Sequence, residues 1–158
     1  IHDFDLIQYI TGQTIKNIYA TGDALIQKEL KDLDDIDTAI ITMKLSDGSL
    51  AVVDTSRETG YGYDQQLEVL GENGQLQVKN IHRDNLIKTN INGQLSSPIQ
   101  DSFVERYQKS YLLQFKYFMS CLRKNTQPSP GIRELRDALK VAYAAKKSFA
   151  KNEDILLE

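Results

Sequence analysis

The chain has one cysteine, two histidines, two methionines and no tryptophan. Cys121, standing alone, closes no intramolecular disulfide, which agrees with a reducing compartment, and the expected location is the cytoplasm. His2, His82 and Cys121 are far apart and offer no ligand spacing, so no metal is expected. There is no basic excess: the formal charge is -3, and Lys/Arg alternate with Asp/Glu without the cationic stripe that follows a phosphate backbone. Nucleic acid is therefore not an expected partner. No apolar run approaches the roughly 18 residues that span a bilayer, so no membrane partner is expected either. The opening Ile1-His2-Asp3 has neither a methionine nor a signal pattern, and it reads as a cut within a longer chain. Repeats and low-complexity tracts are lacking as well.

What is present suits one globular domain over residues 1–158. Hydrophobic residues make up 41% and charged residues 26%, and a chain this long buries about 70% of the surface its unfolded form exposes. Phe4, Leu6, Ile7 and Ile10 recur at helical spacing before Gly12, which predicts a short helix over Asp3 to Ile10. Stretches of β character follow at Ile15 to Thr21, Ala39 to Leu45, Leu50 to Thr55, Gln66 to Leu70, Leu76 to Val78 and Leu86 to Thr89. Asp47-Gly48, Asn73-Gly74 and Asn92-Gly93 are hairpin signals between them. The polar, acidic stretch from Asp23 to Asp37 reads as a long mobile connection with a solvated face.

Asp101 or Ser102 can cap a long helix in which Phe103, Tyr107, Tyr111, Phe115, Phe118, Met119 and Leu122 turn one side to a core. After Pro128 and Pro130, Leu135, Ala138, Leu139, Ala142, Ala145 and Phe149 mark a second helix, and Ile155 to Leu157 a terminal strand. A helix, many strands, two helices and a strand predict an α+β domain, with helices on one face of a mostly antiparallel, open-faced sheet. The other face then calls for a covering partner, a second copy or another domain.

Two constellations carry chemistry. In His2-Asp3-Phe4-Asp5 a histidine beside carboxylates suits proton removal from a hydroxyl, while acids at a helix start also favour the helix dipole. From Ser56 to Gln65, hydroxyl, carboxylate and amide groups crowd around Gly60 and Gly62 and can face a polyhydroxylated ligand. The same stretch also reads as a glycine-rich connection with Tyr61 and Tyr63 packed on the sheet. Gly71-Glu72-Asn73-Gly74 lacks the spacing of a dinucleotide loop and reads as a hairpin turn. His82 is expected in solvent, and Cys121 as a small packed residue.

The two constellations, in this order and separation, resemble the Gfo/Idh/MocA oxidoreductases and, among them, the myo-inositol 2-dehydrogenases. The likeness runs along nearly the whole chain, through Val53-Asp54-Thr55-Ser56-Arg57, Tyr61-Gly62-Tyr63-Asp64-Gln65, Glu68-Val69-Leu70-Gly71, Asp101 to Tyr107 and Pro128-Ser129-Pro130. The resemblance implies a dihydrodipicolinate reductase-like C-terminal domain that binds substrate and mediates a homo-oligomer. The N-terminal Rossmann domain, holding NAD or NADP, would lie outside this chain. It implies His2 as the general base, with Asp5, Tyr61 and Tyr63 as contacts to the hydroxyls of an inositol, another polyol or a sugar. Members also carry a catalytic lysine in the Rossmann domain and an aspartate four residues before that histidine, neither of which falls here. Gln66 departs from the arginine common at its position. The chain alone is expected to be inactive. A different reading is a non-catalytic, sheet-mediated assembly or ligand-binding module.

Overall fold

A computed structural model describes residues 1–157. These residues gather into two compact units, one made of Ile1–Glu58 with Gln127–Glu158 and the other of Thr59–Thr126. All strand pairing is antiparallel, and the fold is α+β, as the element order predicts.

In the first unit, α1 (His2–Thr11) ends where Gly12 takes φ 65° and returns its N–H to the Gln8 carbonyl. A side chain at that left-handed position would strain the backbone, so glycine is the natural stop. β1 (Ile15–Asp23), β2 (Thr38–Leu45) and β3 (Leu50–Ser56) form a sheet in the order β3-β2-β1, and β8 (Ile155–Leu156) pairs with the outer side of β1. Strict alternation decides which face is buried. On β2, Ala39, Ile41, Met43 and Leu45 point inward, and Ile18 and Ala20 sit opposite Met43 and Ile41.

α4 (Ile132–Lys151) lies on that inner face through Val141, Ala144 and Ala145, and Phe4 of α1 completes the cluster. Alanines at the contact let helix and sheet backbones approach closely. Ser148, fully buried, joins the two directly: its hydroxyl accepts from the Ala20 N–H at 3.0 Å and donates to the Glu153 carbonyl at 2.7 Å. The stripe that α4 buries is thus Ala138, Val141, Ala144, Ala145 and Ser148, whereas Leu135 of the expected stripe is 57% exposed. The outer face of the sheet leaves Ile40, Leu50 and Val52 exposed.

The segment 23–37, expected to be a loose connection, is an ordered turn. Asp37 is buried and its carboxylate accepts from the backbone N–H groups of Leu25, Ile26 and Gln27 at 2.8 to 3.0 Å, beside a 3₁₀ turn at Lys28–Leu33. Burial works to raise the Asp37 pKa, but the Gln27 N–H, the Thr38 hydroxyl and the other two amides outweigh it and bring it down to about 2. The acidity of this stretch is therefore partly structural.

The second unit holds two hairpins, β4 (Leu67–Gly71) with β5 (Gly74–Val78) and β6 (Ile87–Asn90) with β7 (Gly93–Ser96), and the helices α2 (Phe103–Arg106) and α3 (Gln108–Lys124). Ser102 caps α2 by accepting from the Glu105 N–H, as its sequence position suggests. The expected single helix is broken at Tyr107. Nor is its aromatic side a closed core: Phe115 is 63% exposed and Phe103, Tyr111 and Phe118 about half exposed, because two-stranded hairpins are too small to cover such a stripe. Cys121 is buried, as expected of a small packed residue.

Candidate functional site

The first set of groups sits where α1 begins. His2 and Asp5 are three residues apart on a helix and so share a face. Both line a cleft of about 420 Å³, whose other wall is the entry to α4, with Pro130, Ile132 and Leu135. The wall is mostly apolar, and its volume lies in the range of small-molecule sites. Glu134 also borders it, but that carboxylate is occupied in holding the helix start, accepting from the Gly131 N–H at 2.7 Å. Its own backbone N–H and that of Gly131 hold it below the usual carboxylate range. By contrast, the His2 and Asp5 side chains make no hydrogen bond among the described residues. They are thus the polar groups of this cleft that remain open to a ligand, one able to accept a proton and one able to accept hydrogen bonds.

The second set lies in the segment 59–65 of the other unit, where Gly62 takes φ 128° and a Cβ would fall 2.5 Å from Ile99. Glycine is required on both counts. The bend brings the Tyr61 hydroxyl to Asp64 Oδ2, to which it donates. Asp64 Oδ1 accepts from Asn80 Nδ2 at 2.6 Å and Gln66 Nε2 at 3.1 Å. Arg106 reaches in from α2, donating to Asn80 Oδ1 at 3.3 Å and to the Gln65 carbonyl at 2.8 Å. The Tyr61 hydroxyl first, and then Asn80, hold the Asp64 pKa down, and the same pairing holds the Tyr61 phenol up.

Tyr63 lies differently, its ring edge-on to Tyr107 at 6.2 Å and tilted against Phe103 at 6.4 Å. Burial, followed by the neighbouring Tyr63, raises the Tyr107 pKa. Of the residues expected to touch a ligand, His2 and Asp5 therefore meet at one cleft, Tyr61 joins a polar network, and Tyr63 packs among aromatics. The sequence reading missed Asn80 and Arg106, 16 and 42 positions beyond Asp64. Only the polar character of Asn80 and the i+4 offset of Arg106 from the Ser102 cap hinted at them.

Gly71 to Gly74 is the turn of the β4-β5 hairpin, so it does not form the strand-to-helix loop that cradles a dinucleotide phosphate. Among the described residues no group of three His, Cys, Asp or Glu side chains converges to hold a metal, and no helix is long and apolar enough to cross a membrane.

The family model of the GFO/IDH/MocA C-terminal domain matches residues 1–77. The myo-inositol 2-dehydrogenase of Thermotoga maritima is 35% identical over 158 residues, covering all of this chain and 47% of that protein. The inositol 2-dehydrogenase of Rhizobium meliloti is 30% identical over 155 residues, 98% of this chain and 47% of its own length. The crystal structure of a myo-inositol dehydrogenase from Corynebacterium glutamicum superposes with a TM-score of 0.94 at 30% identity, over 99% of this chain and 47% of that one. The chain thus spans about half the length of the relatives it matches.

Proposed function

Because this chain belongs to the Gfo/Idh/MocA oxidoreductases, as their C-terminal domain, we propose that it is the substrate-binding and oligomerisation half of an NAD(P)-dependent dehydrogenase. Residues 1–158 would act as one C-terminal domain. The reaction is oxidation of a secondary hydroxyl of an inositol or a related polyol or sugar. The observation that carries this reading is the cleft with His2 and Asp5 on one helical face, in a chain whose relatives include inositol 2-dehydrogenases.

A nicotinamide, held mainly by a Rossmann domain outside this chain, would supply the hydride acceptor. The residues here bind and deprotonate. His2 takes the proton of the reacting hydroxyl, Asp5 accepts from a neighbouring hydroxyl, and the apolar wall seats the carbon ring. Tyr61 and Tyr63 are the remaining polyol contacts. The exposed apolar row Ile40, Leu50 and Val52 supports a homo-oligomer through the outer sheet face.

The test is NADH or NADPH formation by the full-length protein with myo-inositol, related cyclitols and hexoses. Wild-type protein should turn over at least one of them, and His2→Asn should lower kcat by about 10²- to 10⁴-fold. The 158-residue chain alone should give no turnover. A full-length protein that reduces neither nucleotide with any of these substrates would remove the proposal. Sedimentation should report an oligomer that Val52→Lys weakens.

A further inference from the structure

The Tyr61–Asp64 pair has a fixed hydrogen-bond polarity. Two amide donors already fill Asp64 Oδ1, and Asp64 Oδ2 takes the single phenolic proton of Tyr61. The Tyr61 oxygen therefore offers only lone pairs to anything that approaches it, and the ring is 62% exposed. The arrangement cannot invert by an amide flip at Asn80. Asn80 Oδ1 is engaged by the Gln65 N–H at 2.9 Å and by Arg106, which leaves its NH₂ group facing Asp64. Asp64 is ionised across the neutral range, so its demand for the phenolic proton does not lapse.

We propose that Asp64 is a positioning residue that makes Tyr61 an acceptor-only contact, so that this position admits a ligand group bearing an O–H proton and rejects an ether or a carbonyl. The inference rests on the reading of the Tyr61 segment as part of a polyol-binding wall. It adds a rule of orientation: a ketone product must turn its carbonyl away from Tyr61, and an intact hydroxyl faces it throughout. An acceptor-only contact favours a ligand group that brings a proton over an analogue that lacks one.

The experiment uses the full-length protein with myo-inositol and each of its monomethyl ethers. Asp64→Asn should raise the KM for myo-inositol by about tenfold with kcat within about twofold, and Asp64→Glu should recover most of that loss. The penalty for the ether whose methyl group meets Tyr61 should shrink in Asp64→Asn, because the freed phenolic proton can then be donated to the ether oxygen. Tyr61→Phe, which keeps the ring and removes the acceptor, should raise KM similarly and guards against a folding defect in the aspartate variant. An unmoved KM in both variants, or a Glu variant no better than Asn, overturns the subsite alone. Loss of all turnover in wild-type protein overturns the proposed reaction and the subsite with it.

Discussion

Both units are well supplied with apolar side chains, but they dispose of them differently. The unit of residues 1–58 and 127–158 encloses Ile18, Met43, Leu45 and Val141 at 3% exposure or less, between a sheet and a helix. Within Thr59–Thr126, Cys121 and Ser97 are buried, while Leu112, Phe115 and Leu122 remain more than half exposed. A sheet with a helix laid on it can exclude water from one face, and a pair of hairpins cannot. The first unit owes its order to burial. The second owes its shape near Tyr61 to polar bonds and a required glycine.

The largest effect that would test this contrast is Ile18→Ala, which opens a cavity at a fully buried site and should cost about 2–5 kcal/mol in denaturant unfolding. Phe115→Ala, although it removes a larger side chain, should cost less than Ile18→Ala, and the reverse order would break the comparison. Ser148→Ala should cost about 1–3 kcal/mol, because the Ala20 N–H then loses its acceptor in a buried setting.

The smallest effect concerns acid. The folded pKa of Asp37, about 2, lies below that of an unfolded aspartate, so the stability this group contributes is present above roughly pH 4 and lost as pH falls toward 2. Asp37→Asn should flatten the unfolding midpoint over that window. An unchanged acid limb would mean that the N–H donors of residues 25–27 do not hold the carboxylate in solution.

Legibility followed the same division. Every strand with β-branched or alternating apolar residues was readable, and the Asp-Gly and Asn-Gly turns fell where positive φ is found, at Gly48, Gly74 and Gly93. β7 was not, since Leu95 is the one apolar residue in Gly-Gln-Leu-Ser and pairing with β6 alone defines it. The α4 stripe was read in part: Ala138 and Ala145 are buried as expected, whereas Val141, Ala144 and Ser148 were not marked and Leu135, Leu139 and Phe149 stay exposed, because leucine and phenylalanine outweigh small residues in a hydrophobic pattern. Asp37 was unreadable for a related reason: a carboxylate that ties three amides looks, in sequence, like any surface acid. At the candidate site, His2 and Asp5 are close in sequence and could be paired in advance. Asn80 reaches Asp64, and Arg106 reaches Asn80, only through the fold, from two separate stretches of chain.

β8 and α4 carry a consequence for biosynthesis. They follow the 59–126 segment in sequence, yet they complete the sheet that Ile15 begins and cover the face holding Ile18 and Met43. A ribosome that has delivered residues up to Lys124 has made β1, β2 and β3 but not their lid, so this buried core cannot close until α4 is made. The nascent chain must carry an uncovered apolar sheet through the synthesis of the whole 59–126 segment. A stall or truncation there would leave it a substrate for chaperones.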